Sequence, residues 1–221
     1  MKTRISSVVI ATLLACAGSA AASISYINPY RSVEAWSGQG DTYDWVWTRD
    51  EAPFSVTIDR HSDLGATGFI ASQQSYLEEL QVRYMGTTWA GGGERSGGTW
   101  YPVTSRSNML FEFTLSEASA YEAVMFFSGV GDTTITASLT RGSEVIFDTP
   151  GPYLGLLQPG TYQFAAELRS VGVRVFDPDS GYESYFPSTG SFQIWLAIPS
   201  PGTALLVGAS GLLLLSTRRR A

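Results

Sequence analysis

The feature that most constrains the fold of this 221-residue chain is a period of two in its apolar residues. Phe111, Phe113 and Leu115 alternate with two polar residues, and the segments 134–140 and 162–169 repeat the pattern. Successive side chains of a strand point to opposite faces, so this alternation places one face on a core and the other in water. The pattern therefore predicts antiparallel strands.

Turn residues separate these strands. The 23 glycines and 10 prolines are spread along the chain as punctuation. Gly142 follows one alternating segment where a hairpin needs a positive φ, and residues 158–161 read Gln-Pro-Gly-Thr just before another. At least seven short strands between turns predict an all-β domain, an antiparallel β-sandwich of jelly-roll type.

The segment 76–85 has two interpretations. Leu77, Leu80 and Tyr84 keep helical spacing, whereas Leu80, Val82 and Tyr84 alternate with polar residues. No pairing of an N-cap with an apolar face argues strongly for a helix here. We therefore favour a strand here.

The N-terminus has the three parts of a secretory signal peptide, assigned to residues 1–22. Two basic residues precede an apolar stretch at 5–17, which is too short to span a bilayer, and small residues follow it. Alanines at 20–22 fit the cleavage pattern and would leave Ser23 as the new N-terminus. An uncleaved anchor and acylation of Cys16, the single cysteine, are the alternatives.

The C-terminus also has three parts in order. It begins with the helix-breaking triplet Pro199, Ser200 and Pro201. An uncharged, mostly apolar run follows at 202–217, and its helical length of roughly 24 Å is a little short of a bilayer core. The chain then closes with the arginines Arg218, Arg219 and Arg220. A buried helix of a soluble domain would need protein on every side, so we expect a transmembrane helix whose arginines stop transfer and stay cytoplasmic.

This tail resembles the PEP-CTERM sorting domain of bacterial surface proteins, over residues 198–221. Pro199 and Pro201 match the two prolines of the family's Pro-Glu-Pro motif, and Ser200 stands in place of its glutamate. The resemblance implies that an exosortase-type membrane enzyme recognises the motif, cleaves near it, and releases or attaches the exported protein.

The charge of the intervening segment, residues 23–197, limits its partners. Nine arginines face 20 acidic residues there, a net charge of about −11. Such a surface does not neutralise phosphates, which argues against nucleic acid and against adsorption to anionic lipid. Without cysteine this segment has no disulfide, no thiolate nucleophile and no cysteine-based metal site, and we expect no cofactor.

Two segments offer candidate chemistry that we judge weak. Asp177 and Asp179, in the turn sequence Asp-Pro-Asp-Ser-Gly at 177–181, could give oxygen ligands to calcium, but a plain loop is the favoured interpretation. His61 could form a hydrolase triad with Asp59 or Asp63, yet no nucleophile elbow accompanies it. The neighbouring carboxylates at 78–79 would lie on opposite faces of a strand, so they do not predict a glycosidase pair.

An aromatic cluster is the remaining candidate. Trp36, Trp45 and Trp47, with Tyr43 between them, stand beside several carboxylates. Exposed aromatic rings next to carboxylates can stack on sugar rings and bond their hydroxyl groups. Trp45 and Trp47 also share one face of a possible strand, and packing into the core is the favoured interpretation.

We therefore expect a non-enzymatic protein of the cell surface or extracellular matrix. It would be exported across the inner membrane, anchored at first by its C-terminal helix, and then released or attached. A carbohydrate-binding module acting on extracellular polysaccharide is the alternative, and a hydrolase is the less favoured third possibility.

Overall fold

The computed structural model describes most of the chain between residues 24 and 198. The described residues are 24–37, 43–61, 68–78, 81–91, 94–96, 99–176, 179 and 183–198. The predicted signal peptide at 1–22, the sorting motif Pro199–Pro201, the helix at 202–217 and Arg218–Arg220 lie outside them, so those assignments stay predictions. No helix in the described part of the chain is long and apolar enough to cross a membrane.

Every regular element among the described residues is a β-strand, and most of these strands form two antiparallel sheets. Sheet A contains β1 (Ile24–Ser37), β2 (Tyr43–Thr48), β8 (Val103–Leu115), β10 (Asp132–Arg141), β11 (Glu144–Phe147), β13 (Gly160–Phe176) and β14 (Glu183–Phe186). Sheet B contains β3 (Phe54–His61), β4 (Gly68–Glu78), β5 (Gln81–Ala90), β9 (Ser119–Val130), β12 (Tyr153–Leu157) and β15 (Ser188–Ala197). A small hairpin pairs β6 (Glu94–Ser96) with β7 (Thr99–Tyr101).

The strand order shows which strands lie at the edges of the two sheets. Sheet A runs β11-β10-β13-β8-β1-β2, with β14 paired to β13, and sheet B runs β12-β9-β15-β5-β4-β3. Strands β2 and β3 are thus edge strands, one in each sheet, and an ion pair joins them: Nε of Arg60 lies 2.5 Å from Oδ2 of Asp44. The predicted all-β class and the two packed antiparallel sheets are confirmed.

The space between the sheets holds two hydrophobic clusters. The larger cluster includes Phe111, Phe113 and Leu115, so the period-two alternation at 111–115 correctly predicted a core face. The smaller cluster includes Val33, Phe54, Ile58, Phe69 and Val103.

A belt of buried polar residues separates the two clusters. On β8, Ser105 and Ser107 fall between Val103 of the small cluster and Met109 of the large one. Hydroxyl groups here bond one another: the hydroxyl of Tyr84 donates to Oγ of Ser107 over 2.9 Å. Buried hydroxyls without such partners would each cost stability, so the bonding accounts for a polar belt inside a sandwich.

The described residues of the segment 76–85, which are 76–78 and 81–85, are in strands as favoured, but they belong to two strands. The segment contains the end of β4 at Glu78 and the start of β5 at Gln81, and the two pair as antiparallel neighbours. Val82 and Tyr84 are buried, as the alternation predicted. The sequence Glu-Glu-Leu-Gln at 78–81 contains no glycine, proline or asparagine, which are the residues that mark a turn. The boundary between β4 and β5 was therefore not predicted from the sequence.

Candidate functional site

The outer face of the β1–β2 pair carries a continuous line of aromatic rings. Tyr43, Trp45 and Trp47 occupy alternate positions of β2 and share the face that points away from sheet B. Trp36 of β1 is the cross-strand partner of Tyr43, and Tyr30 lies near Trp47 on the same face. We call these five residues the aromatic ladder.

The rings of the ladder contact one another along its whole length. The centroids of Trp45 and Trp47 are 5.8 Å apart with planes 10° from parallel, and those of Tyr43 and Trp45 are 6.5 Å apart. Trp36 lies 6.3 Å from Tyr43 at one end, and Tyr30 lies 6.4 Å from Trp47 at the other. Cross-strand and i, i+2 aromatic neighbours of this kind hold each other's orientation.

About half of each central ring is open to solvent. The exposed fractions are 51% for Tyr43, 49% for Trp45 and 45% for Trp47. The prediction that Trp45 and Trp47 pack into the core is therefore wrong. Strand β2 is the last strand of sheet A, and even Val46 on its other face is exposed, because the opposing sheet does not cover this edge.

A polar network borders the ladder on the same face. Glu34 of β1 is the cross-strand partner of Trp45, and its Oε1 accepts a 2.7 Å hydrogen bond from the hydroxyl of Ser32. Arg106 of β8 lies beside it, with Nη1 3.8 Å from Oε2 of Glu34, and pairs on its other side with Glu167 of β13. Carboxylates and a guanidinium are thus fixed next to exposed indole rings.

Two further contacts shape the ladder. The guanidinium of Arg49 lies over the ring of Trp47, 5.7 Å from its centroid, which is a cation–π contact at the end of β2. Partial burial, with a smaller effect of the charge on Glu34, raises the pKa of Tyr43 above its usual value. The Tyr43 hydroxyl is therefore neutral at physiological pH and can both donate and accept a hydrogen bond.

The ladder contains residues that the sequence cluster omitted. Tyr30 and Arg49 were missed, although a signal existed for Arg49, which follows Trp47 at the i, i+2 spacing of one strand face. Tyr30 follows an irregularity of β1 between Ile27 and Tyr30, where Asn28 has a φ of 48°. That bulge shifts the alternation of side chains along β1, so the sequence does not show on which face of the strand Tyr30 lies.

The other predicted candidates lie partly outside the described residues. Asp179 is exposed and Asp177 lies outside the described part of the chain. Where the structure describes the chain, no group of three or more histidine, cysteine or acidic residues is placed to hold a metal ion. His61 ends β3 and Asp59 is exposed on the same strand, while Asp63 is outside the described residues.

The sequence and the fold were compared with known proteins. No family model matches the chain, and neither a curated protein nor a solved structure does. A function is therefore inferred from the residues of the ladder and of the face around it.

Proposed function

We propose that the chain is an exported, non-enzymatic surface or matrix protein whose β-domain binds a neutral polysaccharide through the aromatic ladder. One observation carries the binding function: three consecutive outward residues of β2 are aromatic, and about half of each ring is exposed. Exposed large aromatic rings in a continuous row mark an interaction surface, because a soluble domain gains nothing from leaving them in water.

The chemistry around the ladder favours sugars as the ligand. A sugar presents C–H groups that rest on aromatic faces and hydroxyl groups that need hydrogen-bond partners. The rings of Trp45 and Trp47 supply the first, and the carboxylate of Glu34 with the guanidinium of Arg106 supplies the second. The ladder also follows an extended strand, so its neighbouring rings suit a linear chain of sugar units.

Nucleic acid bases also stack on exposed aromatic rings, but the charge opposes that ligand. Single-stranded nucleic acid sites combine aromatic platforms with a positively charged groove. Here Glu34 borders the rings, and the segment 23–197 carries about −11. The same repulsion disfavours strongly acidic polysaccharides, which is why we propose a neutral one.

The export part of the proposal rests on sequence. The signal peptide at 1–22 directs the chain across the inner membrane, and the apolar segment at 202–217 with Arg218–Arg220 anchors it. By its resemblance to a PEP-CTERM tail, the segment 198–221 is then processed by an exosortase-type enzyme. The β-domain, in this proposal, meets polysaccharide at the cell surface or in the extracellular matrix.

We also propose that the sandwich is of jelly-roll type. From β8 onward the chain passes repeatedly between sheets, with β8, β10 and β13 in sheet A and β9, β12 and β15 in sheet B. Such alternation between two antiparallel sheets is typical of a jelly roll.

The binding proposal is tested on the full chain in a detergent without a sugar head group. Retention by neutral hydroxyethylcellulose and by acidic alginate is measured by affinity electrophoresis. We expect retention by hydroxyethylcellulose, and we expect Trp45→Ala or Trp47→Ala to weaken it about tenfold or more. Leu154→Ala, which removes an exposed apolar side chain from sheet B, is the matched control and leaves retention unchanged.

Equal retention of Trp45→Ala and the native chain would refute the proposal. Each ring is also half buried, so its loss costs some packing, and retention is compared only where every variant is folded. A denaturant midpoint for each variant verifies this. Trp45→Phe, which keeps an aromatic face, is expected to retain most of the binding.

A further inference from the structure

The outer face of sheet B holds a groove on the side of the sandwich opposite the ladder. Its volume is about 410 Å³, within the usual range of ligand sites. Two rows of cross-strand neighbours form its floor: Tyr76, Arg83 and Trp195 in one, and Met85, Gln193 and Phe126 in the next. Aromatic or other apolar side chains therefore alternate with hydrogen-bonding ones across strands β4, β5, β15 and β9.

The aromatic lining of this groove is open to solvent. Trp195 is 41% exposed and Phe126 is 66% exposed. Trp195 lies between Ile194 and Leu196, which are both buried, so it is a large apolar residue in the outward phase of its strand. A large apolar residue at an outward position has no packing role in the core, and it indicates a surface that binds a ligand.

A single amide sets the orientation of the groove's main groups. Oε1 of Gln81 accepts a hydrogen bond from the indole Nε1 of Trp195 over 3.2 Å and another from Nη2 of Arg83 over 3.3 Å. Nε2 of Gln81 in turn donates to Oε2 of Glu78. The indole and the guanidinium are thus held in place before any ligand arrives, which lowers the entropic cost of binding.

The charges near the groove indicate a ligand without a net charge. Arg83 is the cation of the lining, and its remaining N–H groups can donate to ligand oxygens. Glu78 and Glu122 lie in the adjacent cross-strand row, as neighbours of Gln81 and Ala197, and would repel an anion. A guanidinium, an amide and carboxylates beside exposed rings match the hydroxyl and C–H groups of a neutral sugar.

We propose that this groove, which we call the sheet B groove, is a second saccharide site, so that one molecule bridges two polysaccharide chains. The bridging rests on the proposed function of the ladder, whereas the groove's own affinity does not. The two sites lie on the outer faces of opposite sheets, and one polysaccharide segment therefore cannot occupy both. Two sites of the same ligand class on opposite faces make the protein a cross-linker of its matrix.

The experiment uses the full chain with a β-1,4-linked glucose hexamer for stoichiometry and hydroxyethylcellulose for cross-linking. Calorimetry is expected to give two hexamers bound per molecule of the native chain and one for either Trp195→Ala or Trp45→Ala. The native chain raises the viscosity of a hydroxyethylcellulose solution, whereas both single variants bind the polymer without raising it. The double variant does neither. Phe126→Ala, which removes a mostly exposed ring, serves as a second groove variant and behaves as Trp195→Ala does.

The outcomes separate the two proposals. If both groove variants keep two bound hexamers and the native viscosity, the second site is refuted while the ladder stands. If Trp45→Ala leaves stoichiometry unchanged and the groove variants abolish all binding, the ladder is refuted and the groove stands as a single saccharide site. A native chain that binds no hexamer and leaves the viscosity at the buffer value refutes both.

Discussion

The guanidinium of Arg31 shows how a single residue holds the end of the aromatic strand. The side chain is fully buried, and Nη2 donates to the carbonyl oxygens of Asp50 and Ala52 over 2.6 and 2.7 Å. Nη1 bonds the carbonyl oxygen of Ser75 on β4 over 3.3 Å. One cation therefore ties β1, the segment after β2, and the opposite sheet together.

We predict that Arg31→Ala lowers the free energy of unfolding by about 2 kcal/mol or more, because it leaves the buried carbonyl of Ser75 without this donor. Arg60→Ala is the control, since Arg60 is mostly exposed and its ion pair with Asp44 contributes at most about 1 kcal/mol. Urea denaturation followed by tryptophan fluorescence measures both. Equal losses in the free energy of unfolding for the two variants would contradict the role of Arg31 in joining β1 to the opposite sheet.

Tyr84 makes the stability of the domain fall at alkaline pH. Burial raises the pKa of its hydroxyl well above the usual value of about 10, and the hydrogen bond with Ser107 opposes that shift only partly. Above pH 10 the unfolded chain releases this proton while the native state keeps it. The contribution of Tyr84 to the free energy of unfolding is therefore complete below pH 10 and is lost as the pH rises further.

We predict that Tyr84→Phe costs about 1 kcal/mol at pH 7, through the lost hydrogen bond, and makes the decline above pH 10 shallower. Tyr26 also has a raised pKa, caused mainly by its burial, so the decline does not disappear. Urea midpoints at pH 7, 10 and 11 measure the effect. Parallel declines in the native chain and the variant would show that Tyr84 does not set this dependence.

At the scale of strands, glycine sets how closely the two sheets approach. A Cβ at Gly172 of β13 would lie 1.6 Å from the carbonyl oxygen of Gly91, so backbone meets backbone there. We predict that Gly172→Ala destabilises the domain by more than about 2 kcal/mol, because no side chain can move aside. Gly151→Ala is the matched control, since its Cβ would meet nothing closer than 3.4 Å. Thermal unfolding that shifts equally for both variants would contradict the close approach.

The same strands show what the sequence could predict. Alternation identified the buried face at 111–115 because β8 lies in the middle of sheet A, where one face is fully covered. It misassigned Trp45 and Trp47 because they lie on the outer face of β2, and alternation alone does not state which face of a strand the opposing sheet covers. The sheet B groove was missed for a related reason: Tyr76 and Trp195 are far apart in sequence and meet only through the pairing of β4, β5 and β15.

For the whole molecule, both proposed sites depend on a sandwich that stands without disulfides. The segment 23–197 has no cysteine, so its two sheets are held together by the packed clusters and by polar contacts such as those of Arg31. Because the sheets are joined by buried contacts along most of their strands, the ladder and the sheet B groove keep a fixed separation. Rigid opposition of two sites is what a cross-linker needs, since a flexible pair could bind one chain twice.

In the proposed function, the two ends of the chain determine where the protein acts. We predict that protein recovered from its native host begins at Ser23 and ends near Pro199, which intact-mass spectrometry measures directly. Ser200→Glu creates the Pro-Glu-Pro motif of the PEP-CTERM tails that residues 198–221 resemble, and it is expected to increase the processed fraction, whereas Pro199→Ala is expected to decrease it. Retention of Arg218–Arg220 in most native molecules would contradict processing. The protein would then be permanently anchored, and its polysaccharide would have to lie at the membrane surface.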